Sequence, residues 1–348
     1  MNILGTISDK LHKRIVEKKQ KLESVGKLSR QVVKRIEERM QVEFVYNTNK
    51  IEGSALTRGE TELVLRGITV NNRSIADVLV AKHHPDALNY IKELSLNPYR
   101  EINERDIKDI HMMIMTGVVK DAGKYRQIDV AVQGASFTPP PPYEISKHMK
   151  ELVQFINKNP YELRPIELAA HVHYYLSWIH PFSDGNGRIA RLLMNFIIIS
   201  NGYRFTVIKK VDGKKYLESL KLADNGNFEH FLTFIARCVE QTLDLYLVEI
   251  GNKGEKENLL PLSELAEKTP YSDEYLGLLA RKGQIDAIKV GRIWKSTRKT
   301  IDTYLAEHKR RTRRKVNWSE YNESLVKRGE LLFDAQFFIE QTSTEDKF

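Results

Sequence analysis

The sequence contains a single cysteine, Cys238, among 348 residues. One cysteine excludes the disulfide framework that holds many small secreted domains together. No apolar run approaches the roughly 18 residues that a membrane-spanning helix requires. The first residues, MNILGTISDKLHKR, also lack the apolar stretch of a secretory signal. Together these absences predict a cytoplasmic protein without a membrane partner.

Acidic residues are scarce in one segment, and this accounts for the net charge of +9. Residues 281–315 contain 13 Lys or Arg and three acidic residues, a net charge of +10 for that segment. The rest of the chain is therefore close to neutral. Because the positive charge is local, it indicates a partner for this segment rather than for the whole surface.

Helical periodicity dominates the chain, and we predict a mainly α-helical fold. Thr57 followed by Glu60 is typical of a capping box at the start of a helix. Residues 123–137 differ, since their alternating pattern predicts a small β-hairpin that ends before the prolines at 139–142. We expect an N-terminal helical region at 1–100, a core domain at 101–250, a polar linker at 251–258, a small basic domain at 259–315, and a C-terminal helix and tail at 316–348.

The most informative string is HPFSDGNGRIAR at 180–191, which lies between two apolar helical stretches. Gly185 and Gly187 permit unusual backbone angles and a close approach of the main chain to a ligand. The loop leads directly into a helix N-terminus, where free N–H groups and the helix dipole favour an anion. The string therefore predicts a phosphate-binding loop.

The side chains of this loop predict phosphate-transfer chemistry. His180 titrates near neutral pH and could accept a proton from an attacking hydroxyl. Asp184 offers the hard oxygen that Mg²⁺ prefers. Arg188 and Arg191 are three residues apart, share one helix face and could both hold phosphate oxygens.

A metal site formed by His171, His173 and His180 is the alternative. Residues two apart on a helix point to different sides. We therefore interpret His171 and His173 as packing or hydrogen-bonding residues.

The string matches the signature of Fic-domain proteins without departure, and residues 15–245 resemble that family more widely. The resemblance implies a mostly helical fold and transfer of AMP from ATP to Ser, Thr or Tyr of a protein. It implies His180 as the base, Phe182 as a core anchor of the loop and Asp184 as the Mg²⁺ ligand. It also implies a phosphate site formed by Gly185, Asn186, Gly187, Arg188 and Arg191. Relatives that transfer a phosphoryl group lack the second glycine, so Gly187 favours nucleotidyl transfer.

A second resemblance lies upstream, in Thr48-Asn-Lys-Ile-Glu52-Gly53. This string is similar to the inhibitory motif of Fic proteins with an N-terminal inhibitory helix. The resemblance implies that Glu52 pairs with Arg191 and takes the place of the γ-phosphate of ATP. A solvated glutamate at a helix end is the alternative.

The family resemblance extends to the target and to adenine. The predicted hairpin resembles a flap that pairs with an extended segment of the target protein, and its edge would be Val130, Ala131, Val132, Gln133 and Gly134. Tyr216 falls where the family places an aromatic residue against adenine, although a tyrosine of the core is an alternative. Asp224 stands where many relatives have Asn, so it could accept a hydrogen bond from adenine but not donate one.

Residues 259–315 resemble excisionase-like winged helix-turn-helix domains, with helices at 262–268 and 272–282 and a wing at 285–295. Such a domain places its second helix in the major groove of DNA. The candidate phosphate contacts are Arg281, Lys282, Lys289, Arg292, Lys295 and Arg298. A protein-docking or dimerising module is the alternative.

The sequence therefore predicts an ATP- and Mg²⁺-dependent protein adenylyltransferase. Two other functions stay open: removal of AMP from modified targets at the same site, and DNA-binding regulation with the Fic site as a nucleotide sensor. The sequence names neither the protein substrate nor the DNA site, and it leaves a homodimer open.

Overall fold

The computed structural model describes residues 5–24, 30–97, 99–132, 134–251 and 260–305, the last range without 268, 283, 286, 291 and 299. The chain divides into two compact units. The first contains the residues up to Glu257 together with Ile288–Ile293, and the second contains the remainder from Asn258 onward. The linker predicted at 251–258 lies outside the described residues except for Gly251, and so does the C-terminal helix and tail predicted at 316–348.

The first unit is built from helices, which confirms the predicted mainly α-helical fold. The helices are α1 Asp9–Ser24, α2 Arg30–Ile51, α3 Arg58–Leu65, α4 Ile75–Ser95, α5 Glu104–Met115, α6 Pro142–Lys158, α7 Pro165–Ile179, α8 Asn186–Ser200, α9 Gly213–Asp224 and α10 Glu229–Gly251, with a 3₁₀ turn at Lys210–Asp212.

Local sequence signals explain where several helices begin. The capping box predicted for α3 is present, because Thr57 Oγ1 accepts from the backbone N–H of Glu60 and the Glu60 carboxylate accepts from the N–H of Thr57. The helix α5 begins in the same way at Asn103 and Asp106. These reciprocal bonds satisfy N–H groups that have no partner inside a helix.

Helices α7 and α8 form the centre of the first unit. Both are apolar on most of their circumference, and nearly every residue of α8 from Ile189 to Ile198 is buried. A helix without a polar face must be covered on all sides by other elements. The loop that joins these two helices, residues 180–185, is consequently held at the end of the most buried pair of helices in the unit.

The structure corrects the prediction of a β-hairpin at 123–137. Apart from Gln133, which lies outside the described residues, this segment contains no strand. One carbonyl of the segment, that of Ile128, accepts from the Arg126 side chain and not from a neighbouring strand. The prolines that follow have no N–H to offer to a ladder. The flap is therefore an irregular segment.

The described strands lie in the C-terminal part of the chain: β1 Leu260–Pro261, β2 Ile288–Val290 and β3 Ile293–Ser296. Strand β1 pairs antiparallel with β3, with Leu260 opposite Ser296. Helices α11 Leu262–Ala266 and α12 Asp273–Arg281 agree with the predicted positions, and Ser272 caps α12. The second unit has a small core of its own, formed by Leu262, Leu265, Leu276, Leu279, Ala280, Ile285, Ile301 and Tyr304. The winged helix-turn-helix assignment stays a prediction.

Across the residues that the structure describes, we find no helix with both the length and the apolar character needed to span a bilayer.

A buried glutamate at the start of α7 connects the N-terminal residues to the core. The Glu167 side chain accepts from Ile7 N at 2.8 Å and from Arg164 Nε at 2.9 Å and Nη2 at 2.7 Å. Burial raises the pKa of Glu167, but the hydrogen bonds from Arg164 and from the Ile7 backbone outweigh it, so the pKa lies below its ordinary value. The carboxylate form is the one that these contacts stabilise.

We predict that Glu167→Gln lowers the free energy of unfolding by about 1.5–3 kcal/mol at pH 7, since it removes charge-assisted hydrogen bonds from a buried site. A carboxyl group with a depressed pKa stabilises the fold above its ordinary pKa, and this contribution is lost as the pH falls through the folded-state value. The free energy of unfolding, measured with urea at pH 7 and at pH 4, should therefore fall more between these two pH values in the wild type than in the variant. Glu17→Gln, an exposed carboxylate on α1, is the control, and equal effects of the two substitutions would contradict the prediction.

Candidate active site at the loop between α7 and α8

His180 is the C-cap residue of α7 and adopts a left-handed conformation with φ of 49°. Glycine is the usual residue at such a position because a side chain makes it costly. The side chain of His180 therefore adds a conformational cost at this position.

The loop after His180 is closed by two side chains that point inward. Phe182 is fully buried. The amide of Asn186 bonds back to the main chain of Phe182, donating to its carbonyl at 2.8 Å and accepting from its N–H at 2.9 Å. The prediction that Asn186 forms an anion nest with Gly185 and Gly187 concerns its backbone, whereas its side chain closes the loop. Only its backbone N–H is left to serve an anion.

Two glycines let other groups come close to this loop. Gly185 has a φ of 81°, and a Cβ there would meet Met115 Sδ at 3.1 Å. A Cβ on Gly187 would lie 2.5 Å from Glu52 Oε1. The carboxylate of Glu52 therefore rests directly against the backbone at the start of α8, in space that only a glycine leaves open.

The imidazole of His180 is arranged to accept a proton. Its Nδ1 lies 3.1 Å from the carbonyl of Ser177, and because a carbonyl can only accept, the proton is on Nδ1 and Nε2 is the free base. Burial lowers the pKa of His180 below its ordinary value, and Arg126 acts in the same direction, although the Ser177 carbonyl, Glu52 and Asp184 oppose it. The ring is consequently neutral at pH 7.

The Arg191 guanidinium is 2% exposed and is held by the end of α2. It donates to Thr48 Oγ1 at 2.8 Å, to the Thr48 carbonyl at 3.0 Å and to Glu52 Oε1 at 2.6 Å. The ion pair between Glu52 and Arg191 that the resemblance implied is present. Burial raises the pKa of Glu52, but the charge and hydrogen bond of Arg191, together with Arg188 and His180, lower it overall. Thr48 is a partner of Arg191 that the sequence did not predict.

Asp184 on the loop and Arg188 in the first turn of α8 are only loosely paired, with 3.8 Å between Arg188 Nη1 and Asp184 Oδ1. Arg188 Nη1 also lies 3.5 Å from Met115 Sδ. Its Nε is buried, and no acceptor is present among the described residues. A buried donor without a partner is costly, and a phosphate oxygen is a ligand that would satisfy it. The Asp184 side chain is 56% exposed, which leaves room for a cation at its carboxylate.

His111 on α5 is a residue of the site that the sequence did not reveal. It is fully buried and stacks on Phe182, with ring centroids 3.8 Å apart and planes inclined by 5°. Its Nε2 donates to the Asp184 carbonyl at 3.0 Å, and its Nδ1 accepts from Gly123 N at 2.8 Å. His111 therefore joins the loop to the segment that leads into the flap. A histidine within the apolar stretch IHMMIM was the only signal for it.

Arg126 is a second residue that the sequence did not reveal. It is 1% exposed, and its guanidinium bonds to three main-chain carbonyls, including that of His180. Its own N–H donates to the Pro181 carbonyl at 2.9 Å. A buried arginine in the predicted hairpin thus connects that segment to the loop at 180–185.

The flap is accessible where the resemblance requires it. Ala131 and Gly134 are exposed, and Val130 and Val132 are partly exposed, while Gln133 lies outside the described residues. Within the described residues, the backbone of Val130 and Ala131 makes no backbone hydrogen bond. Such groups are available to an added strand.

Asp224 and Tyr216 are engaged with the protein itself. Asp224 accepts from the flap N–H of Ser136 at 3.2 Å and from the Tyr174 hydroxyl at 3.1 Å. Tyr216 is 3% exposed, and its hydroxyl lies 3.0 Å from His173 Nε2. The alternative of a core tyrosine fits this burial better than a surface for adenine. The adenine contacts of both residues stay predictions.

His171 and His173 lie in the core, as interpreted from the sequence. His171 stacks on Phe228 at 4.3 Å between ring centroids, and His173 contacts Tyr216.

Comparison with known proteins gives consistent matches. The Fic/DOC family profile matches residues 101–198. The protein named "Protein adenylyltransferase Fic" of Aedes aegypti is 31% identical over 296 residues, which are 84% of this chain and 59% of the relative. The protein of the same name in Nematostella vectensis is 35% identical over 237 residues, 67% of this chain and 55% of the relative. The chain thus spans a little over half the length of these two relatives.

Among solved structures, a Fic domain-containing signalling protein from Bacteroides thetaiotaomicron is similar over its whole length. It is 31% identical, with a TM-score of 0.65, and the match covers 70% of this chain and 100% of the other.

We predict that His111→Phe lowers the free energy of unfolding by about 1–3 kcal/mol. The substitution keeps the stacking on Phe182 but leaves the Gly123 N–H and the Asp184 carbonyl without their partner. Urea unfolding measures the loss. His171→Phe is the matched control, because His171 is also buried and stacked and its Nε2 has no partner among the described residues. The hydrogen-bonding role of His111 would be refuted if both variants were as stable as the wild type.

Proposed function

The chain belongs to the Fic/DOC family, and on this premise we propose that it is a protein adenylyltransferase, an enzyme that transfers AMP from ATP to hydroxyl side chains of other proteins. The observation that carries the proposal is the arrangement of the 180–191 loop. A neutral imidazole with a free Nε2 precedes a helix N-terminus whose first turns present two arginines. An acceptor for a proton and a site for an anion are thereby joined in one loop.

The residues of the loop divide the reaction between them. His180 Nε2 takes the proton of the target hydroxyl. The hydroxyl oxygen then forms a bond to the α-phosphorus of ATP. At the same time, the bond from the α-phosphorus to the oxygen that bridges to the β-phosphate breaks. Pyrophosphate leaves, and Arg188, Arg191 and the first N–H groups of α8 stabilise its negative charge. The buried and unpartnered Nε of Arg188 supports this assignment.

A divalent cation fits at Asp184. Its carboxylate is more than half exposed, and its Oδ1 accepts from Gly185 N at 2.6 Å, which orients the side chain at the phosphate loop. A hard oxygen ligand of this kind suits Mg²⁺. When bound, the ion would neutralise phosphate charge. We propose Asp184 as its ligand.

We further propose that Glu52 inhibits the enzyme by occupying the place of the γ-phosphate. Its carboxylate pairs with the Arg191 guanidinium and lies against Gly187. Glu52 therefore occupies both the positive charge of Arg191 and the space beside the backbone of Gly187. ATP and Glu52 would compete for one guanidinium, which cannot pair with both in the same geometry.

We predict that Glu52→Gly raises AMP transfer, including self-modification, by about 10- to 150-fold, which is what the loss of a competing charge-assisted hydrogen bond of roughly 1.5–3 kcal/mol implies. Labelled ATP with Mg²⁺, followed by detection of label on protein, measures the change. Glu101→Gly is the matched control, because Glu101 is an exposed carboxylate outside any helix, and it should leave transfer unchanged.

The double variant Glu52→Gly/His180→Ala should bind ATP and transfer no label, since the base acts on the hydroxyl and not on the phosphates. Unchanged transfer in Glu52→Gly would remove the inhibitory role. A loss of AMP removal from a modified target in that variant would instead make the reverse reaction the primary function.

A second proposal concerns the basic segment, which we assign to duplex DNA. Its support is the net charge of +10 on residues 281–315 and the two short helices that precede it, α11 and α12. Lys282 and Arg292 are exposed.

We predict that the full chain binds duplex DNA with a slope of log K against log salt near roughly −4 to −5, as expected for about five phosphate contacts. Fluorescence anisotropy across a salt series checks this. Lys282→Ala with Arg292→Ala should flatten the slope, whereas Lys13→Ala with Lys34→Ala, on α1 and α2, should not. Absence of binding at low salt would favour the protein-docking alternative.

A further inference from the structure

Arg126 is a buried cation whose partners are all main-chain carbonyls. Its Nε donates to the His180 carbonyl at 2.8 Å, its Nη1 to Ile128 at 2.7 Å and its Nη2 to Pro140 at 2.6 Å. The side chain is 1% exposed. One planar group therefore joins three separate points of the main chain.

This arrangement is costly for a structural contact alone. Within the part of the chain that the structure describes, no salt bridge neutralises the Arg126 guanidinium. Burial lowers the pKa of Arg126, and Asp129 opposes this only in part. A buried charge is usually retained only where its geometry is needed. The guanidinium of Arg126 is planar and rigid, so it holds its three carbonyl acceptors at fixed angles to one another.

The three carbonyls belong to the two parts of the site that must be aligned. Ile128 and Pro140 flank the flap segment, one on each side of Val130–Gly134. The third carbonyl is that of His180, whose imidazole is the proposed base. Because a single plane holds all three, a displacement of the flap relative to His180 would break at least one strong hydrogen bond.

We propose that Arg126 is a positioning residue that sets the distance and angle between the target-docking flap and His180. A target strand laid along the flap then arrives with its hydroxyl in reach of the imidazole Nε2. This inference rests on the proposed adenylyltransferase function. It assigns no contact between Arg126 and ATP, since none of its hydrogen bonds goes to Asp184, Arg188 or Arg191.

Loss of the Arg126 contacts should affect two kinetic constants, kcat and the KM for the protein acceptor. Misalignment of the hydroxyl and the base lowers kcat, and displacement of the flap raises the KM for the protein acceptor. A shift of about 1 Å in such a geometry costs on the order of 10²-fold in rate. The KM for ATP is set by the 184–191 loop and stays within about threefold. A merely structural role would change all three constants together or none of them.

The test is Arg126→Lys in the active Glu52→Gly chain, with the His180→Ala chain as the protein acceptor and labelled ATP. Lysine keeps the charge but reaches only one of the three carbonyls. Arg164→Lys in the same parent is the matched control, because Arg164 also donates to a main-chain carbonyl, that of Ile7, and lies at the other end of α7.

We expect Arg126→Lys to lose about 10- to 100-fold in kcat, to raise the KM for the acceptor and to keep its affinity for ATP, whereas Arg164→Lys retains all three. The inference would be overturned if Arg126→Lys and Arg164→Lys had the same kcat and the same KM for the acceptor. It would also be overturned if Arg126→Lys lost ATP binding together with AMP transfer. An unlabelled acceptor with the Glu52→Gly parent would overturn the proposed function, and with it this inference.

Discussion

The buried guanidinium of Arg191 is the constraint on which the rest of the site depends. A cation with 2% of its surface exposed requires strong compensation. It receives that compensation from Thr48 in the last turn of α2 and from Glu52 directly after this helix, both far from α8 in sequence. The packing of α2 against the core therefore also sets the electrostatics around Arg191, because it places the Thr48 and Glu52 side chains against the guanidinium. Any anion that takes the place of Glu52 must compensate Arg191 equally well.

Hydrogen bonds from side chains to main-chain carbonyls hold much of the rest of this loop in place. Asn186 closes the loop on Phe182, His111 holds the Asp184 carbonyl, and Arg126 holds the His180 carbonyl. The bonds of Asn186 and His111 join a side chain on a helix, α8 or α5, to backbone that belongs to no helix or strand, and the bond of Arg126 joins two segments that both lack regular structure. This explains how an irregular loop and an irregular flap keep a defined geometry without a strand ladder, since every carbonyl held in this way removes freedom from its segment.

Much of the fold and of the site could be predicted because the signals are local. The capping box at Thr57 and Glu60 depends on four consecutive residues. The 180–191 string carries its glycines, its base and its arginines within one loop and one helical turn. The flap shows the opposite case. Its alternating pattern indicates strands, but no neighbouring strand pairs with it in the described residues, and the carbonyl of Ile128 accepts from the Arg126 side chain. Tyr216 could not be assigned from the sequence because its exposure depends on how α9 packs.

The sequence by itself determined the helical class, and it predicted a phosphate loop with His180 as its base, because helix periodicity and loop chemistry depend on neighbours within a few residues. The resemblance to a family supplied the pairing of Glu52 with Arg191. Only the tertiary structure decided that Glu52 lies against Gly187, that Thr48 shares Arg191, and that His111 and Arg126 contact the loop at 180–185. These contacts join residues that are between 54 and 143 positions apart. Such pairs are set by the packing of whole helices, which no local pattern records.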